Sequence, residues 1–181
     1  MSGSPTLLLI PGLRDEAPGH WQSILAGQWP GAVSLPALGR QNIDLAARVA
    51  QIEEAVQGIK GPVVIVAHSL AISALVHAAP RFPEGKVKGA LLVSPPDHEA
   101  PGFPKEGRSF DGVPSDPLPF PSLLVVSNND PYVTAERAAD MATAWGSELH
   151  FAGEAGHINV ASGHGPWPEG LLMFTRLMQR I

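Results

Sequence analysis

The chain has 181 residues, 44% hydrophobic and 16% charged, a composition that builds a core and excludes a disordered polymer. Its formal net charge of −5 excludes a broad nucleic-acid surface, because binding phosphates needs clustered Lys and Arg and no basic run occurs. The absence of cysteine excludes disulfides, thiolate chemistry and Cys-based zinc sites.

The length suits a single domain over residues 1–181. No apolar stretch approaches the ~20 residues of a membrane span. The start, Met1-Ser2-Gly3-Ser4-Pro5, lacks the basic residues of a signal peptide, so the chain is read as cytoplasmic.

In chain order, Thr6–Ile10 is the first continuous apolar run, and it is predicted to be a strand. Ala32–Leu35 is a weaker strand candidate that belongs towards a sheet edge. Ile43–Gln57 is predicted to be a helix, with Asn42 as its N-cap and charges at Asp44, Arg48, Glu53 and Glu54. Pro62–Ala67 is a second buried strand, followed by an apolar helix over Leu70–Ala79. Gly89–Val93 and Ser122–Ser127 are two more buried strands, and Glu148–Phe151 is a second weak edge candidate. Thr134–Trp145 and Trp167–Arg180 are amphipathic helices. Continuous apolar runs bounded by Gly or Pro suit strands covered on both faces. Strand alternating with helix predicts an α/β fold: a doubly wound, mostly parallel sheet of about six strands with helices on both faces. Pro95–Pro121 breaks the pattern. It is dense in proline and contains Gly102, Gly107 and Gly112, so it reads as a long irregular loop at the carboxyl edge of the sheet, where ligands bind.

Chemistry concentrates at three loops. Ser69 stands between a buried strand and a buried helix in Ala67-His68-Ser69-Leu70-Ala71, a form of the G-x-S-x-G nucleophile turn with alanine at both glycine positions. An ordinary helix cap is the competing role for Ser69. His68 reads as structural. A serine hydroxyl needs a base, and in this kind of sheet the order is Ser, then acid, then His. Asp130 in Asn128-Asn129-Asp130-Pro131 and His157 in Ala155-Gly156-His157-Ile158 satisfy that order. An Asx-turn competes for Asp130, and a backbone-bonded loop residue for His157. The rivals Asp97, Asp111 and Asp116 come too early, and His164 belongs with the last helix. The backbone N–H groups of Leu70 and Leu13, the latter in Pro11-Gly12-Leu13, are candidate oxyanion donors. Trp21, Phe103 and Phe110 are candidate pocket residues, and Pro95–Pro121 is a candidate lid.

Four segments together resemble the small serine hydrolases grouped with retinoblastoma-binding protein nine and the YdeN proteins. They are Pro11–Leu13 with His20-Trp21, the A-H-S-L-A turn, N-D-P-Y-V at 129–133, and A-G-H-I-N-V-A-S-G-H-G-P-W-P-E-G at Ala155–Gly170. The resemblance implies a compact α/β-hydrolase with Ser69, Asp130 and His157 at the triad positions. The implied reaction is cleavage of small esters, thioesters or amides, with no metal and no cofactor. The alternative is a catalytically weak protein that keeps the fold as a protein-interaction module, although no protein partner is indicated by the sequence. A nucleotide binder is set aside, since neither G-x-G-x-x-G nor G-x-x-x-x-G-K-[ST] occurs.

Overall fold

The structure, a computed structural model, describes residues 4–13, 17–39 and 43–181. Its strands are β1 (Thr6–Ile10), β2 (Val33–Ser34), β3 (Val63–His68), β4 (Val87–Val93), β5 (Ser122–Val126) and β6 (Glu148–Phe151). Its helices are α1 (Trp21–Gln28), α2 (Leu45–Gly58), α3 (Leu70–Ala78), α4 (Ala135–Trp145) and α5 (Pro168–Met178). The strands form one sheet in the order β2-β1-β3-β4-β5-β6, and every neighbouring pair is parallel. The two weak strand candidates are the two edges, as their composition predicts.

Alternate residues of each central strand feed different layers. Leu8, Ile10, Ile65, Ala67, Leu92 and Leu124 join a core with Ile52 and Val56 of α2, most of α3, and Met141 and Trp145 of α4. Leu7, Leu9, Val64, Val66, Leu91, Val93 and Val125 join a second core with Trp21 of α1 and Phe174 and Leu177 of α5. Because both faces are covered, the strands read as unbroken apolar runs rather than alternating ones. Among the described residues, no helix is long and apolar enough to cross a membrane.

Several sequence expectations need correction. Helix α1 was not predicted. It has only eight residues and is capped by His20, whose Nδ1 accepts the Gln22 N–H at 3.2 Å. Asn42 lies outside the described residues, and the cap of α2 is Asp44, which accepts the Ala47 N–H at 2.7 Å. The 95–121 segment contains a short 3-10 turn at Lys105–Phe110.

That segment is held on the body of the protein. The Asp97 N–H donates to the Tyr132 carbonyl at 2.8 Å, and the Leu118 N–H to the Trp145 carbonyl at 3.0 Å. Trp145 Nε1–H returns a bond to the Pro114 carbonyl at 2.9 Å. His98 Nε2 and Ser73 Oγ of α3 lie 2.8 Å apart.

Candidate active site

The parallel sheet sends every β→α loop to one edge, and the three chemical loops meet there. Ser69 follows β3 directly, and its backbone turns back sharply, with φ 56° and ψ −130°. A residue with a Cβ rarely adopts that conformation. Its Oγ makes no cap bond to α3, so the helix-cap role falls away. Instead the hydroxyl donates to His157 Nε2 at 2.8 Å. His157 Nδ1 in turn lies 2.9 and 3.0 Å from the two Asp130 carboxylate oxygens. A carboxylate accepts, so the neutral imidazole carries its proton on Nδ1, and Nε2 is left free to accept from the serine. Asp130 and His157 are 8% and 7% exposed, so this chain of bonds is shielded from competing water. Asp130 Oδ1 also accepts the Tyr132 N–H at 2.9 Å, so the Asx-turn and the bond to histidine coexist.

Two residues that the sequence reading missed join the acid and histidine loops. Ser127 Oγ accepts the Ala155 N–H at 2.9 Å, and Asn129 Oδ1 accepts the Gly156 N–H at 2.7 Å. Gly156 is at φ 59°, where a Cβ would lie 2.7 Å from Ser162 Cβ, so both the turn and the close approach require glycine. Behind the histidine, His68 Nε2–H donates to the His157 carbonyl at 3.0 Å, and Trp21 Nε1–H to the Ile158 carbonyl at 2.8 Å. Ile158 has φ 45°, strained for a β-branched residue, and that bond helps to hold it. Burial, then the neighbouring His157 and His20, push the His68 pKa well below the ordinary histidine value, so its ring is neutral. His68 thus acts as a donor to the backbone of the histidine loop. Burial, followed by His157 and His164, lowers His20 to about 4.

The Pro11–Leu13 loop sits against the serine. A Cβ on Gly12 would lie 3.1 Å from both the His68 carbonyl oxygen and Ser69 Cβ, so only glycine allows this approach without displacement. The Gly12 carbonyl accepts the Leu38 N–H at 3.2 Å, on the β2 side. The Gly12–Leu13 peptide is trans, so the Leu13 N–H points away from that carbonyl and from Leu38. Gln22 Nε2 donates to the Ile10 and Val66 carbonyls at 3.2 and 3.0 Å and ties together the ends of β1 and β3.

Ser69 and His157 open on a cavity of about 370 Å³, whose walls include Leu13, Leu70, Phe103, Pro104, Tyr132 and Val160. Of the three aromatic residues singled out from the sequence, Phe103 lines this cavity, and Trp21 and Phe110 lie elsewhere. Trp21 is buried in the α1–α5 core, with its indole N–H committed to Ile158. Phe110 is fully buried in the core on the α3 face. Large aromatic rings bury more area in a core than on a cavity wall, and burial decided both positions.

The profile described as serine hydrolase matches residues 7–176. The chain is 34% identical to a YdeN-like hydrolase from Pectobacterium atrosepticum, with a TM-score of 0.83 over 96% of this chain and 90% of that one. The ydeN gene product of Bacillus subtilis is 17% identical, with a TM-score of 0.77 over 97% of this chain and 100% of that one. An esterase domain from Rhodothermus marinus is 16% identical, with a TM-score of 0.67 over 96% and 88% of the two chains. No curated protein matches the sequence. A profile that spans most of the chain and a third of residues shared with a YdeN-like hydrolase establish the family: this chain belongs to the serine hydrolases.

Proposed function

We propose that the protein cleaves small carboxylic esters through an acyl-enzyme, with Ser69 as nucleophile, His157 as base and acid, and Asp130 as its orienting partner. The carrying observation is the continuous line of bonds from Ser69 Oγ through His157 to Asp130, at 2.8 and 2.9 Å. In the first half-reaction Ser69 Oγ attacks the carbonyl carbon as its proton passes to His157 Nε2. The carbonyl oxygen becomes an oxyanion, for which the Leu70 and Leu13 N–H groups are the donors. The tetrahedral species collapses, the ester C–O bond breaks, and His157 gives the proton to the departing alcohol. A water then attacks the acyl group, its proton moves to His157, and the acid leaves as Ser69 Oγ takes the proton back. Asp130 stays ionised throughout and stabilises the transient imidazolium.

The cavity supports the substrate class. Leu13, Leu70, Phe103, Pro104 and Val160 give it apolar walls, which suit an acyl chain, and about 370 Å³ suits a short one. Thioesters and amides of the same acyl group are assayed beside the ester. The experiment pairs fluorophosphonate labelling, read by intact mass, with p-nitrophenyl ester turnover. The wild type takes one label and turns over. Ser69→Ala takes none, and His157→Ala loses nearly as much activity, because the members act as a unit. A folded Ser69→Ala that turns over at the wild-type rate refutes the assignment. A wild type that takes no label points instead to the interaction-module alternative.

A further inference from the structure

Arg48 sits on α2 with its guanidinium buried, at 1% exposure. Its Nη2–H donates to the Pro11 carbonyl at 2.9 Å, and Nη1–H to the Pro36 carbonyl at 2.8 Å and to Gln51 Oε1 at 3.1 Å. Desolvating a guanidinium costs several kcal/mol, so its bonds here carry weight. Both carbonyls belong to loops that leave the sheet. Pro11 follows β1 and leads into Gly12, and Pro36 follows β2 and precedes Leu38 by two residues.

The geometry around Gly12 gives these bonds a purpose. Two consecutive peptides each accept a donor: Arg48 holds the Pro11 carbonyl at 2.9 Å, and the Leu38 N–H holds the Gly12 carbonyl at 3.2 Å. Gly12 lies between those peptides and lacks a Cβ, so it is the residue about which the Gly12–Leu13 peptide can turn over most easily. Turned over, that peptide would present a carbonyl oxygen to the nucleophile in place of the Leu13 N–H. Arg48 opposes this twice, through Pro11 directly and through Pro36, which steadies the segment that carries Leu38.

We infer that Arg48 is a positioning residue of the oxyanion hole, which keeps the Gly12–Leu13 peptide oriented with its N–H towards Ser69. The inference rests on the proposed role of Leu13 and deepens it. Arg48 touches no reacting atom, so its signature is a loss specific to the charged tetrahedral state.

The test uses the full chain with Arg48→Lys, Arg48→Met and Leu38→Pro, the last removing the second donor at a half-buried position. Two ligands are compared at titrated active sites. A trifluoromethyl ketone forms the tetrahedral adduct with Ser69, whereas the matching alcohol fills the cavity without forming one. The expected result is a fall of about 10- to 100-fold in kcat and in ketone affinity, with KM and alcohol affinity little changed. A structural defect alone would lower the titrated fraction and leave the ketone-to-alcohol ratio intact. An unchanged ratio in folded Arg48→Met, which removes every donor, overturns the inference, and if that variant does not fold, an unchanged ratio in Leu38→Pro does so. Turnover by Ser69→Ala in the same assay would overturn the triad itself, which is a separate failure.

Discussion

Replacing Ser69 by glycine should give a more stable protein than replacing it by alanine. Both variants lack the hydroxyl, so both lose the bond to His157 and the proposed nucleophile, and neither loses a helix cap, because Ser69 makes none. They differ in what each asks of the backbone. At φ 56° and ψ −130° a residue with a Cβ is strained, at about 1–3 kcal/mol, whereas glycine is not. Glycine returns about 0.4–1 kcal/mol of this through the greater freedom of its unfolded chain. The balance favours glycine by about 1 kcal/mol, or about 2–4 °C in Tm for a chain of this length. Urea unfolding followed by tryptophan fluorescence and far-UV circular dichroism, with coincident transitions, measures the difference. If Ser69→Gly proves no more stable than Ser69→Ala, the turn does not store strain at the nucleophile and the reasoning fails.

Three further outcomes follow from the site. Phe103→Ala should change the kcat/KM ratio between short and long acyl esters, because Phe103 is a cavity wall, whereas Phe110→Ala should leave that ratio alone and cost about 3–5 kcal/mol of stability from the core; the reverse pattern would exchange their roles. Trp21→Phe keeps a ring in the core but strips the Ile158 carbonyl of its donor, so it should cost about 1–3 kcal/mol in denaturant unfolding and slow turnover by loosening the histidine loop; wild-type stability would contradict this. Because His20 is lowered from 6.5 to about 4, the unfolded chain binds the extra proton between those values, and the wild type should lose stability as pH falls from about 6.5 towards 4. The slope should be shallower in His20→Asn, whose asparagine can still cap α1, and parallel unfolding curves against pH would remove His20 from the acid response.

The features legible in the sequence were those fixed by local pattern. Four apolar runs gave the central strands because burial on both faces leaves no polar alternation to obscure them. Ser69, Asp130 and His157 stand out as candidates in the sequence because each follows a strand end at short range. What escaped depends on contacts between distant segments. Trp21 looks like a pocket aromatic until Ile158, 137 residues away, claims its N–H. Arg48 reads as one of several charges on α2, and it is buried because two loop carbonyls, 37 and 12 residues distant, converge on it. Ser127 and Asn129 carry no motif, and their work is to join two loops that only the β5–β6 pairing brings side by side. Helix α1 was missed for a local reason: histidine is not among the usual capping residues, and eight residues show little periodicity.

The strand order also dictates when this site can come into being as the chain is made. Strand β3, which ends at the nucleophile, lies inside the sheet, and β4, β5 and β6 are added outward from it in order of synthesis. A helix or a long loop separates each of these strands from the one before it and must be made before that strand can pair. The outer edge on this side is β6, where Arg176 and Arg180 of the C-terminal segment both bind Glu148. His157 lies beyond β6, so the bond between Ser69 and His157 can form only after the last strand of the sheet has been made.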